Sequence, residues 1–378
     1  MSSLASRQGC EKSVERDPKT RREIWRMTDY DAHDIHTYYD TCAWSPDGTR
    51  IAFTSILPDD VVLEKLTSIP KGALFVMDAD GGNIECLAEG VAFRLHTGCF
   101  PMWKDNQTII YHGKNPDGSE YTGMVDIKTQ KVRKIPGLLS RYLSPDGSEL
   151  ICQWEESDRS VKQGATVVNL DDLSRRELVT SDEMNEVMLD TFNRAERMPD
   201  LNPEKMVYTQ VANIKWSPNG SKVMLRFNYM PGKYMKSLFV LNPDGTGLKR
   251  LHLVTPAFGH HSWHPDGEHI LYCDRDEAGN GTVYYLIDRE GFNRRVLHTE
   301  HLGGHPLFNP AGTEIVDFGN GWIWHLDVAS GRVQKLASYT NHLHRGLHAH
   351  PSWNRDGSKV IYHSDHTGTV QIYVIPLH

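Results

Sequence analysis

The sequence predicts an all-β fold, a seven-bladed β-propeller whose last blade is closed by the N-terminal strand. Two observations predict it. The first is a recurring turn. It reads AWSPDGTRIAF from Ala43, YLSPDGSELIC from Tyr142, KWSPNGSKVML from Lys215, SWHPDGEHILY from Ser262, LFNPAGTEIVD from Leu307 and SWNRDGSKVIY from Ser352, with a degraded copy, PMWKDNQTIIY, from Pro101. Proline presets φ, and Asp-Gly or Asn-Gly accepts the left-handed positions that a tight hairpin needs. The turn glycines Gly220, Gly267, Gly312 and Gly357 stand 47, 45 and 45 residues apart, the length of a four-stranded blade. The second observation is a shortfall. Third strands such as LFVMDADG and LFVLNPDG are followed by more polar fourth strands such as NIECLA and RVQKLA, but the last copy runs out of chain at IYVIPLH. The missing strand stands at the other end, as REIWRMT from Arg22, and adding it to the last blade removes two sheet edges.

On this reading residues 1–16 are a flexible tail and residues 17–378 one propeller domain. Two insertions interrupt the repeat, residues 57–69 and residues 181–211. The second carries Met184, Val187, Met188 and Phe192 at helical spacing, which predicts a packed surface helix.

Composition narrows the function classes. A formal charge of −8 argues against a nucleic-acid or anionic-membrane surface. No apolar run approaches the roughly 20 residues of a membrane span, and the polar N-terminus has no signal-like apolar core. The six cysteines form no CxxC pair, as expected of free thiols in a reducing compartment, and the expected location is cytoplasmic. No GxSxG, P-loop or GxGxxG motif is present.

Histidine is the unusual residue. There are 20, concentrated after residue 250. Propeller pockets form about the axis, at the ends of the innermost strands. Seven residues before Gly267, Gly312 and Gly357 stand His260, His305 and His350, one register in three consecutive copies. The same position holds Thr41, Ser140 and Asn213 in three others. His348 precedes His350 by two, and on a strand such residues share a side. His305, His348 and His350 therefore predict a three-nitrogen site for a first-row divalent ion. Manganese is the expectation, with calcium or another divalent ion as alternatives. His261, His342 and His344 are the candidate fourth ligands or supporting groups, with water as another possibility. The remaining histidines, His36, His96 and His363 among them, read as solvated or local.

At these residues the chain resembles the oligogalacturonide lyases, propeller enzymes that cleave uronides by β-elimination. The opening strand Asp17-x-x-Thr20-x-x-Glu23-Ile24-x-Arg26-Met27-Thr28 matches that family's position by position. His348-Ala349-His350-Pro351-Ser352 matches its His-Pro-His-Pro-Ser, and His305 matches a metal-binding histidine. The resemblance implies His260, three residues before Trp263, as the catalytic base. It implies a catalytic role on or beside Lys236, where the family has arginine, and it sets Arg345 where the family has a metal-binding glutamine. Asn213 replaces a family histidine.

The chemistry agrees with these residue types. Removing the C5 proton of a uronate adds charge to an anion, so a divalent ion on the carboxylate and basic side chains such as Lys236, Arg345 or Arg226 favour it. Histidine has a pKa suited to the base. Arg345 and Arg226 are thus the expected substrate contacts. The implied partner is an anionic oligosaccharide, with no nucleic acid or membrane, and the sequence assigns no oligomeric state. Two alternatives stand beside this. One is a lyase for another uronide linkage, such as rhamnose–glucuronate. The other is a non-catalytic interaction propeller like that of TolB-like proteins.

Overall fold

The computed structural model describes residues 4–61, 69–154, 164–194, 209–229, 235–254, 260–275, 282–300, 302–344 and 346–377. The chain divides into two compact units. One comprises Met1–Pro136 with Leu302–His378, the other Gly137–His301. Both are built almost wholly of antiparallel strands, and the one α-helix among the described residues is Ser181–Arg194. No helix among the described residues is long and apolar enough to cross a membrane.

Every copy of the turn joins two paired strands. In the second unit, the copies from Tyr142, Lys215 and Ser262 each lie in their own four-stranded sheet, with strands in chain order. In the first unit, the copy from Leu307 has a four-stranded sheet of its own. The copies from Ala43 and Pro101 share an eight-stranded sheet, joined where Val91 pairs with Gly113. Each turn is stapled internally. Asp47 Oδ1, for example, accepts from the Ser45 hydroxyl (2.6 Å) and from the Thr49 amide (3.0 Å) and hydroxyl (2.8 Å). Asp47, Asp146 and Asp356 hold depressed pKa values for that reason, led at Asp47 by the Ser45 hydroxyl.

The turn tryptophans tie consecutive copies together. Trp103 Nε1 donates to the Ala43 carbonyl (2.8 Å) and Trp353 Nε1 to that of Leu307 (3.1 Å), both within the first unit. In the second unit Trp263 Nε1 donates to the Lys215 carbonyl (3.3 Å). The acceptor is always five residues before the turn glycine of the preceding copy, and the donor four before that of its own or the equivalent position. One indole thus buries its apolar body and satisfies its single N–H at once.

The N-terminal segment joins the C-terminal sheet. Glu23–Arg26 pairs antiparallel with Gln371–Pro376, with Trp25 opposite Val374. The motif from Asp17 to Thr28 does structural work. Asp17 caps its own turn through the Thr20 amide (2.7 Å) and accepts from the Ser338 amide (2.8 Å) and hydroxyl (2.7 Å) on a neighbouring sheet. Burial alone would raise its pKa, and these donors hold it below the usual value. Thr28 donates to Gln371 Oε1 (2.6 Å) and accepts from the Ile372 amide (3.0 Å), while Ile24 and Met27 are buried.

One expectation changes. The residues from Leu4 to Arg16, expected in a flexible tail, are folded: Ser13–Arg16 pairs with Glu23–Arg26, and Gly9 bridges Ile84. Buried Arg7 explains the docking. Its guanidinium forms a fork with both oxygens of buried Asp34 (2.8 and 2.9 Å) and also reaches Glu11. The helix at the second insertion is as expected for Met184 and Met188, which are buried, and Val187 packs beside them. Thr180 and Glu183 form a capping box at its start: the Glu183 carboxylate accepts from the Thr180 amide (2.7 Å), and the Glu183 amide donates to Thr180 Oγ1 (3.3 Å). Residues 62–68 and 195–208 of the insertions lie outside the described residues.

Arg7→Ala leaves Asp34 buried and unpaired, so it should cost about 3–5 kcal/mol in denaturant unfolding. Deleting residues 21–28 should lower the melting temperature far more than a surface change does. A deletion variant melting within a few degrees of the parent would show that the strand pairing with Gln371–Pro376 is dispensable.

Candidate metal centre

The first unit brings four histidines together. His96, His305, His348 and His350 can each offer one ring nitrogen, and those four atoms lie within 4.8 Å of one another. Two ligands on opposite sides of one first-row ion approach that separation, at roughly 2.0–2.3 Å each. Ring centroids are 4.5 Å apart for His96 and His350, 4.6 Å for His96 and His348, and 5.0 Å for His305 and His348.

Local sequence positions each ring. His305 follows Gly303, where any side chain would collide with the carbonyl of Phe318, so the loop can lie against the strand Glu314–Gly319 only as glycine. The His305 amide then donates to Asp317 Oδ1 (2.9 Å). His96 sits in a tight turn in which the Thr97 and Gly98 amides both donate to the Arg94 carbonyl (3.1 and 2.7 Å). Its Nδ1 lies 3.1 Å from the Gly346 carbonyl, so Nδ1 carries the proton and Nε2 presents its lone pair to the cluster. His348 and His350 converge by another route than expected. Residues 348–350 are irregular, the strand begins only at Ser352, and His350 holds φ +46°. A left-handed kink, and not strand alternation, aims the pair. Phe100 and Asn213, at the same position of their copies, hold φ +55° and +50°.

The surroundings keep His96, His348 and His350 neutral. Burial, then the neighbouring His96, pushes His348 down to about 4. Burial and the other histidines hold His350 well below 6.5. Burial lowers His96 as well, against the pull of the Gly346 carbonyl. Tyr38 stands edge-on to His350 (4.9 Å) and Tyr39 to His305 (5.0 Å), while Phe318 lies 4.9 Å from His305. Both ring nitrogens of His350 and Nδ1 of His348 are buried without a hydrogen bond. Buried nitrogens of that kind call for a partner. Neutral, converging and unsatisfied, they fit a divalent transition ion.

His305, His348 and His350 are thus brought together as the sequence predicts, and the fourth member is His96. The sequence reading made His96 solvated or local because its turn lies outside the repeated register. Of the fourth-ligand candidates, exposed His342 is no member of the cluster, and His344 uses Nδ1 to accept from the Gly346 amide (2.8 Å). Arg345 lies outside the described residues.

The second unit holds the other candidates. Lys236 faces Asn228 across the strand pair, and Arg226 stands opposite Leu238. Burial, then the Arg226 charge, lowers the Lys236 pKa to about 8, against the pull of Asp274. His261 is buried, with Nε2 3.3 Å from the Asn213 carbonyl, and Lys215 donates to its own carbonyl. Burial, then Lys215, Arg226 and Lys236, hold it well below 6.5. It belongs to this cationic group and not to the four-histidine cluster. His260 is half-buried at the entry to His261–Trp263, and its carbonyl accepts from the Cys273 amide (3.4 Å).

No protein-family model matches the chain. Among solved structures it is similar to an oligogalacturonate lyase in complex with manganese, 16% identical, with a TM-score of 0.73 over 98% of both chains. It is also similar to the oligogalacturonate lyase from Vibrio parahaemolyticus, 14% identical, with a TM-score of 0.73 over 98% of this chain and 99% of that one. The tricorn protease matches more loosely, at 13% identity and a TM-score of 0.51, over 94% of this chain and 40% of its own. At these identities the likeness is one of fold, and this nearly all-β chain has the fold of the oligogalacturonate lyases.

Proposed function

We propose that this chain is a metal-dependent lyase that cleaves uronic-acid-containing oligosaccharides by β-elimination and leaves a 4,5-unsaturated uronate. The observation that carries the reading is the converging four-imidazole cluster, in a chain of lyase fold. In this proposal residues 17–378 form one seven-bladed propeller, with Glu23–Arg26 as the closing strand of the last blade. His305, His348 and His350 hold the ion, with His96 as the fourth protein ligand. Nitrogen donors favour a first-row ion, manganese, over calcium. When bound, the ion supplies a Lewis acid that neutralises the uronate carboxylate and the charge that builds on it.

His260 takes the C5 proton. It stands outside the four-histidine set that would hold the ion. Lys236 and Arg226 are mutually repelling cations in a partly buried setting, which an anionic sugar relieves. They bind the substrate carboxylate and stabilise the enolate, and O4 leaves. Arg345 contacts substrate in the same proposal. Six cysteines without a disulfide suit a reducing compartment such as the cytoplasm.

Ultraviolet absorbance of the unsaturated product, measured over a panel of uronide oligomers, tests the reaction and names the sugar. His260→Ala should retain metal by elemental analysis and lose at least about a hundredfold in turnover. Loss of metal together with activity would make His260 a ligand. The His348→Ala, His350→Ala double variant should lose bound metal, because two of four donors are gone. Full occupancy in it would place the ion elsewhere. Lys236 is charged below its pKa and neutral above it, so kcat/KM should fall as pH rises through about 8. Lys236→Arg should move that limb to higher pH.

A further inference from the structure

The orientation of His96 depends on one carbonyl. Its Nδ1 donates to the Gly346 oxygen (3.1 Å), which leaves Nε2 as the donor atom for an ion. A compact turn holds that carbonyl in place, and His344 supplies both of the acceptors that close it. The His344 ring accepts at Nδ1 from the Gly346 amide (2.8 Å), and the His344 carbonyl accepts from the Leu347 amide (2.9 Å). The approach to the turn is fixed as well. The Leu343 amide donates to Oδ2 of buried Asp365 (2.7 Å), and the Thr340 amide donates to Ser364 Oγ (2.9 Å). Immediately after Leu347 the chain reaches His348, whose ring centroid is 4.6 Å from that of His96.

A side chain that accepts from the amide two residues on makes an Asx-type turn, ordinarily the work of Asn or Asp. Elsewhere in the chain Asn169 Oδ1 does so with the Asp171 amide (2.9 Å), and Asp80 Oδ1 with that of Gly82 (3.0 Å). Imidazole Nδ1 stands as many bonds from the main chain as Asn Oδ1, so His344 makes the same turn with a ring. Glycine has the widest conformational freedom of any residue. Here the amides of Gly346 and Leu347 are both tied to His344, which removes that freedom. In a trans peptide N–H and C=O point opposite ways. Tying the Leu347 N–H to His344 therefore sends the Gly346 oxygen out of the turn, where it meets His96.

We propose that His344 is a positioning residue, which acts through the Gly346 peptide to aim His96 at the ion shared with His305, His348 and His350. The inference rests on the metal-site part of the proposed function and is independent of the sugar chemistry. His344 is not itself a ligand. Its ring fixes a turn, the turn fixes a carbonyl, and the carbonyl fixes the tautomer and direction of His96.

The test uses the full chain, stripped of metal and titrated with cobalt(II), whose visible absorption reports ligand geometry. His344→Leu branches at the same carbon but offers the Gly346 amide no acceptor. It should weaken cobalt binding about tenfold, the lower end of the usual loss when a group that orients a metal ligand is removed, and should change the visible spectrum. The melting temperature of the metal-free variant should stay within a few degrees of the parent. His344→Asn, whose Oδ1 can accept from the same amide, should restore most of the affinity and the parent spectrum. In a His96→Ala background the Leu exchange should alter cobalt affinity by no more than about twofold, because the residue through which it acts is gone. Should the Leu variant fail to fold, His344→Ala set against His344→Asn gives the same comparison. Equal affinities and spectra in the Leu variant and the parent would overturn the proposal. So would Leu and Asn variants that are equally impaired, since that marks a packing role for the ring. An undiminished loss in the His96→Ala background would overturn it too, since His344 would then act on another ligand. A parent protein that takes up no cobalt would overturn it together with the metal site. The expected cobalt behaviour in a protein that cleaves no uronide would uphold it and count against the sugar chemistry alone.

Discussion

The pairing of the two chain ends is the constraint on which the first unit depends. Glu23–Arg26 lies on Gln371–Pro376, and Asp17 reaches past that sheet to Ser338. Residues 96, 305 and the pair 348 and 350 are far apart in sequence, yet all belong to the unit that this pairing assembles. The four-histidine cluster needs His96 from one end of the chain beside His305 from the other. A chain with unjoined ends would have to order those rings through loops alone, against a conformational entropy of about 1–2 kcal/mol for each residue fixed. The opening motif shared with the oligogalacturonide lyases is accordingly a seam, with every side chain described above engaged in capping, pairing or packing.

The two units carry opposite electrostatic designs. In the first, burial strips protons from clustered imidazoles and leaves neutral donors. In the second, Lys215, Arg226 and Lys236 stand close enough to depress the buried ring of His261, and Arg226 depresses Lys236. A neutral donor set accepts a cation without first expelling protons. A crowded cationic set accepts an anion and is relieved by it. The net charge of −8 reveals neither, because both depend on a few side chains set in particular surroundings.

Much of this was legible in the sequence. The turn copies, the strand order within each sheet, the end-to-end pairing and the helix with Met184 and Met188 follow from periodicities of 2 and 3.6 and from turn chemistry. His305 and His350 could be found because they share a distance from a turn glycine, and His348 because it precedes His350 by two. His96 could not, since its turn is an irregular connection and its selection depends on a carbonyl 250 residues away. The folded N-terminus was missed because Ser13–Arg16 is polar and its anchor, Arg7, is a charge that becomes informative only beside Asp34.

The left-handed position occupied by Phe100, Asn213 and His350 has a further meaning. An αL backbone at a β-carbon-bearing residue is costly, by roughly 1–2 kcal/mol, yet three copies hold it with an aromatic, an amide and an imidazole. The kink is therefore not a property of the residue that fills it, although Thr41, Ser140 and His305 stand at the same position without it. Side-chain identity there is free to vary while the backbone stays as it is. Coordination chemistry at that position can be written or erased by one codon, which makes it an adaptable point in an otherwise tightly specified architecture.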